Sequence, residues 1–374
     1  FFSFFFPMVQ QDWGKWDKKT QTFHGGQEWK SIDNYVEDFS VTTNALGTPK
    51  SGQVASMEAL KCVGQYPRAD FEPALTDLAK FLWPDDWLVN KRRLLLGNGA
   101  SELIDLIARC GTKMGGWKPG PMVTQYKEYE RSAVACGYKT LKSDDRSATL
   151  VCMVNACNPT GDYMSIEEVK TWIENNCQDG CTVMLDESMQ PWIGPHWRED
   201  SMISQTQWVE KMCVTRNIKV YTIHSWTKIW SCAGIRLGSF VAPTIDEYEK
   251  VKSHQVPWTV NCVALKFLSA VVKDEAYMEE TWRVTTPWRV ESKRRLEEDF
   301  GWKVYGAEWT SWLWVETDSE ETADEALRLA KAAGTPLRSG KPGYEHNQFF
   351  RMAVRAPDKY EVLFNALAPL KKKK

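Results

Sequence analysis

Between about residues 60 and 265 the hydrophobic positions fall into two alternating textures. Short continuous apolar runs give way to stretches in which apolar side chains recur every three or four positions. The first texture marks strands buried on both faces and the second marks helices that cover them. The alternation predicts an α/β fold, a mainly parallel sheet with helices on both faces. Residues 93–96 run into Gly97-Asn-Gly99, and helical spacing then holds from Ser101 to Arg109 until Gly111 stops it. Residues 149–154 predict a buried strand, and Ser165-Ile-Glu-Glu168 a capping box opening a helix with Val169, Trp172 and Ile173 on its inner face. Residues 182–185 predict a strand ending on Asp186, and residues 220–223 another ending at His224-Ser225. Past residue 265, long helical patterns over 264–282 and 325–333 surround a strand-like segment at 310–315, which predicts a smaller α+β domain. The expected organisation is an N-terminal arm with part of the small domain at 1–60, a large domain at 61–265 and the small C-terminal domain at 266–374.

Composition narrows the partners. Among 374 residues, Lys+Arg 47 against Asp+Glu 49 gives a formal charge of −2, with 43% hydrophobic residues, an ordinary globular balance without the basic excess that nucleic acid requires. No apolar run approaches the ~20 residues that span a bilayer, so no membrane partner is expected. The start, Phe1 to Met8, lacks a basic stretch and a small-residue cleavage site and reads as a disordered end or the remnant of a targeting segment; Lys371 to Lys374 read as a solvated tail. Ten cysteines without a Cys-x-x-Cys pair read as reduced core thiols, which points to a reducing setting, the cytoplasm or, if the Phe-rich start is a targeting remnant, an organelle matrix. Cys177 and Cys181 could bind a metal only with a histidine distant in sequence, and no metal is expected. The 19 tryptophans predict aromatic packing or interface surface and name no ligand.

In an open α/β sheet ligands collect at the carboxyl ends of the strands, and four polar motifs stand there. Gly97-Asn-Gly-Ala-Ser-Glu102 is either a tight strand-to-helix turn or a cradle whose free N–H groups and helix dipole favour a phosphate. Asn158-Pro-Thr-Gly161 is by itself a common turn. Asp186 either salt-bridges a protonated ring nitrogen or caps the next helix. Ser225-Trp-Thr-Lys228 with Gly234-Ile-Arg236 is the most specific: a crowded lysine beside an arginine has its ammonium form disfavoured, as an imine-forming amine requires.

Taken in order, these motifs resemble a fold-type-I pyridoxal-phosphate enzyme over about residues 20 to 368, within the class I/II aminotransferases and closest to the histidinol-phosphate aminotransferase and threonine-phosphate decarboxylase branch. His24-Gly25-Gly26, Asp38-Phe39-Ser40, Asn44-x-Leu46-Gly47 and Tyr66-Pro67 are similar to the decarboxylase side. The resemblance implies a covalent lysine–cofactor link at Lys228, Asp186 on the pyridine nitrogen, Asn158 on the ring O3′ and Tyr126 stacked on the ring. It implies a phosphate site at Gly99, Ala100, Ser101, Ser225, Thr227 and Arg236, completed by Tyr66 of a neighbouring subunit and hence a homodimer. It implies substrate contacts at Arg351, Arg338, Asn44 and Gly47, with Arg351 taking a carboxylate.

Two positions depart from the pattern: Met189 stands where aminotransferases usually carry a tyrosine that donates to O3′, and Thr42 where the decarboxylase branch tends to have Asn. The expected activity is an aminotransferase acting on an α-amino acid or amino phosphate; the alternative is decarboxylation, elimination or cyclisation with the same cofactor. A non-catalytic binding protein on this fold would have no need of both Lys228 and Asp186.

Overall fold

The computed structural model describes residues 24–372, so Phe1 to Met8 and the last two lysines lie outside the described residues. Lys371 is tied down by an ion pair with Asp299 at 2.9 Å.

A six-stranded sheet has the order β1-β6-β5-β4-β3-β2. Its strands are β1 (Leu94–Asn98), β2 (Trp117–Pro119), β3 (Leu150–Val154), β4 (Thr182–Asp186), β5 (Lys219–His224) and β6 (Leu237–Val241). β2 to β5 run parallel, and β6 runs against both β5 and β1. Along β3, Leu150, Cys152 and Val154 enter one apolar core while Val151 and Met153 enter another, as the period-two alternation of a strand buried on both faces requires. The helix Ala100–Cys110 covers the first face through Leu103, Ile104 and Ile107, and the helix Ile166–Asn176 covers the second through Val169 and Ile173. The Ser165–Glu168 capping box is formed in full. Trp197, Trp226, Trp230 and Trp312 are among the largest fully buried side chains, so part of the tryptophan excess is core.

A second, antiparallel sheet has the order β7-β8-β10-β9, from β7 (Lys303–Tyr305), β8 (Trp312–Glu316), β9 (Arg338–Ser339) and β10 (Phe349–Ala353). Leu313, Val315, Phe350 and Met352 carry its own core, which Phe39 joins from the N-terminal stretch.

The short strands β2, β7 and β9 are not in the sequence reading, and two larger elements also differ from it. The helical pattern over 264–282 is two helices, Cys262–Val271 and Glu275–Arg295, because Asp274 between them caps the second by accepting from the Tyr277 N–H at 3.2 Å. β6 was not anticipated, since Leu-Gly-Ser-Phe-Val offers only a short apolar signal interrupted by small residues. Its Gly238 is required by close approach: a Cβ there would stand 2.6 Å from the Ala100 nitrogen.

Register positions the site. Val154, Asp186 and Ile223 are neighbours across β3, β4 and β5, so three carboxyl ends lie side by side. Asn98 pairs with Leu237, which sets the turn after β1 beside Arg236.

Candidate active site

One cavity at these strand ends is lined by Ala100, Ser101, Tyr126, Tyr129, Asn158, Asp186, Ser188, Met189, Ser225, Thr227, Lys228 and Arg236. The strand register thus brings together all four polar motifs found in the sequence.

At its base, Asp186 is buried. Its Oδ1 accepts from the Ser188 N–H at 2.8 Å and its Oδ2 from the Tyr129 hydroxyl at 2.7 Å. Burial raises the carboxyl above its ordinary range, against the opposing pull of Ser188, Tyr129 and Lys228. Lys228 lies in the one-turn helix Trp226–Ile229, and its Nζ donates to Thr227 Oγ1 at 3.2 Å. Burial first, then the Arg236 charge, pushes its ammonium down to about 8, with Asp186 opposing.

The phosphate-like end is made of backbone as much as side chain. Gly99, at φ +78, turns the chain into the helix Ala100–Cys110, and a Cβ there would stand 2.5 Å from Arg236 Nη2. The guanidinium, the first free N–H groups of the helix and the Ser225 and Thr227 hydroxyls, 2.7 Å from each other, form a cradle for an anion. Arg236 is held in the left-handed region at φ 64, which costs a non-glycine residue energy and fixes the guanidinium over Gly99. This cradle at one end, a buried carboxylate at the other and a partly deprotonated amine between them fit a phosphorylated, nitrogen-bearing aldehyde such as pyridoxal phosphate.

Tyr126 and Tyr129 meet edge to face with centroids 5.7 Å apart, and His24 lies 5.2 Å from the Tyr126 ring while sharing a hydrogen bond with Glu128 at 3.1 Å. Arg351 donates from Nη1 to Asn158 Oδ1 and from Nη2 to the Ser40 carbonyl at 2.5 Å; its Nε is buried without a partner. Arg338 is the direct cross-strand neighbour of Arg351. It is buried rather than surface-solvated, with the Tyr344 ring 5.4 Å away and the Ser339 and Pro342 carbonyls as acceptors.

Of the predicted residues, Gly99, Asn44, Gly47, Tyr66, Arg338 and Arg351 are not on the wall of this cavity: Gly99 forms the turn under Arg236, Arg338 lines a separate cleft with His24 and Ser40, and Arg351 reaches the cavity through Asn158. Asn44 is buried: its N–H donates to the Lys228 carbonyl at 2.9 Å and its side-chain amide to the Ile229 carbonyl and Thr281. It braces the lysine turn from behind. The Gly47 carbonyl accepts from Tyr277 at 2.7 Å in the same brace. Tyr66 is 79% exposed and stacks on Trp258 at 4.5 Å. The sequence reading missed Tyr129 and Ser188. Neither carried a signal in the sequence, since Tyr126 precedes the helix Glu128–Ala135 and does not share a helix face with Tyr129.

Residues 38–367 match the family described as aminotransferase class I and II. The chain is 24% identical over 358 residues to threonine-phosphate decarboxylase of Salmonella typhimurium, covering 88% of this chain and 90% of that protein. It is 24% identical over 302 residues to histidinol-phosphate aminotransferase of Bdellovibrio bacteriovorus, covering 72% and 76%. In fold it is similar to histidinol-phosphate aminotransferase of Sinorhizobium meliloti, solved with pyridoxal-5'-phosphate, with a TM-score of 0.78 at 18% identity over 99% and 98% of the two chains. With sheet order, cavity chemistry and family match in agreement, the chain belongs to the aminotransferase class I and II family and is a pyridoxal-phosphate-dependent enzyme of fold type I.

Proposed function

We propose that the protein transfers the amino group of an α-amino acid or amino phosphate, with Lys228 as the covalent anchor and proton carrier. The observation that carries this reading is the Lys228 amine, buried in one cavity with Asp186 and lowered to about 8. An amine with that value has a free-base fraction at neutral pH, so it can bond to an aldehyde carbon and accept a proton at the substrate α-carbon. Pyridoxal phosphate, when bound, supplies an electron sink for that carbon. Asp186 would keep the ring nitrogen protonated, Tyr126 would cover the ring face, and the Gly99–Ser101 turn with Ser225, Thr227 and Arg236 would hold the phosphate. Asn158 stands beside Arg351 and would serve both O3′ and the substrate carboxylate. Arg351, with its unpartnered Nε, would bind that carboxylate, and Arg338 the far end of the substrate.

Decarboxylation is the second reading. It is favoured by Met189, which puts a thioether on the cavity wall where a phenol is usual, and by the similarity to a threonine-phosphate decarboxylase. Incubation of the holoenzyme with amino acids and amino phosphates, scoring keto acid, CO₂ and ammonia separately, decides between them. Keto acid with pyridoxamine phosphate supports transamination; stoichiometric CO₂ without keto acid overturns it.

A homodimer in a reducing, cytoplasmic compartment is part of the proposal. Exposed Met57, Leu60, Val63, Tyr66 and Trp258 supply an apolar patch for a second copy, from which Tyr66 would reach the neighbouring phosphate site. The ten free cysteines suit a reducing setting. Separate cores for the two sheets support two domains, and because Phe267, Leu268, Val271 and Met278 join the core of the large sheet we propose a C-terminal limit beyond residue 265.

A further inference from the structure

The two oxygens of Asp186 have different kinds of donor. Oδ1 takes a backbone N–H, from Ser188, which no substitution at that position other than proline removes. Oδ2 takes a side-chain hydroxyl, that of Tyr129, at 2.7 Å in a fully buried contact between residues 57 apart in sequence. Tyr129 stands at the start of the helix Glu128–Ala135, three residues after Tyr126, which precedes the helix, and the two rings are in edge-to-face contact. One short segment therefore carries both the ring at the cavity wall and the hydroxyl that fixes the carboxylate at its base.

We infer that Tyr129 is a positioning residue: through its hydroxyl it orients Asp186 and keeps it ionised, so that the carboxylate can hold a protonated ring nitrogen. The inference rests on the proposed role of Asp186. A carboxylate taken out of water is driven toward its neutral form unless donors satisfy it, and hydrogen bonds to the ionised form reverse that drift. Tyr129 is suited to be a permanent donor, because burial and the Asp186 charge hold its phenol well above the usual value and keep it protonated. Without the hydroxyl, Oδ2 would face the edge of a benzene ring in a dry site, and the carboxylate would be both less ionised and free to turn about χ2.

The test separates ring-nitrogen recognition from general binding. Apoprotein is titrated, by tryptophan fluorescence, with pyridoxal phosphate and with its 1-deaza analogue, in which a C–H replaces the ring nitrogen. The proteins are wild type, Tyr129→Phe, Asp186→Asn and the double variant. The expected result is that Tyr129→Phe weakens pyridoxal phosphate by about ten- to a hundredfold, the range for a hydrogen bond to a charged group, and the analogue less than about twofold. In the Asp186→Asn background the tyrosine change should have no selective effect. Equal loss for both ligands would make Tyr129 a packing residue and overturn the inference. It is also overturned, with Asp186 still in its role, if Asp186→Asn abolishes discrimination and Tyr129→Phe leaves it intact. A wild type that does not discriminate, with Asp186→Asn unchanged, removes Asp186 from the ring nitrogen and the inference with it.

Discussion

The proposed cofactor end and the proposed substrate end of the site are built in opposite ways. Around Lys228 the polar groups come in short contiguous motifs at adjacent strand ends, Gly99 to Ser101, Asn158, Asp186 and Ser225 to Lys228, and the sheet register alone collects them. Around Arg351 the groups come from places far apart in sequence: Ser40 from the N-terminal stretch, Asn158 from the large sheet, and Arg338 and Arg351 from the small one. A site made from strand ends inherits the rigidity of the sheet, whereas one assembled across two sheets depends on how they sit against each other. Under the proposed roles, the chemistry would rest on the first region and substrate choice on the second.

The sharpest way to break this contrast is Lys228→Ala. It should remove covalent cofactor attachment and lower turnover by roughly 10²- to 10⁴-fold, as loss of the proton-transfer group implies. Substrate affinity, measured with a non-reactive carboxylate analogue, should stay near wild type. Arg351→Lys probes the other end. The ammonium cannot reproduce a guanidinium fork, and the loss should be about 1.5–3 kcal/mol, read as a roughly ten- to hundredfold lower kcat/KM with cofactor binding unchanged. A fall in cofactor affinity of the same size would show that the two ends are not separable.

A smaller effect concerns pH. Because the Lys228 ammonium is lowered to about 8 by burial and by Arg236, capture of an unphosphorylated aldehyde such as pyridoxal by the apoprotein should rise with pH and level off above about 8. Arg236→Met removes one cause of the lowering, so its midpoint should lie higher. Smallest is Ser165→Ala, which opens the capping box of a helix remote from the cavity: about 1 kcal/mol of stability lost in denaturant titration, with kcat/KM unaltered.

The same contrast governs how much the sequence reveals. The alternation of textures sufficed for β3, β4, β5 and the helices that cover them, and the cofactor motifs were visible because each is contiguous. β6 escaped because its glycine and serine dilute the apolar run, although those small residues let the turn after β1 pack against it. For Asn44 the resemblance implies a substrate contact, while in the folded chain its side-chain amide is bonded to the Ile229 carbonyl and to Thr281, 237 residues away, which no local motif reveals. Tyr129 escaped for a similar reason: it sits on the helix Glu128–Ala135 while its partner Asp186 ends β4, and only the folded chain shows that the two meet. The spacing of Arg338 and Arg351 became meaningful once β9 and β10 placed them opposite each other.

The central claim is that Lys228 is the amine that holds the cofactor. Borohydride reduction of the purified holoprotein, followed by proteolysis and mass mapping, tests it most directly. The account predicts a single pyridoxyl-phosphate adduct, on the peptide containing Lys228 and nowhere else. An adduct on any other lysine, with Lys228 unmodified, would contradict it.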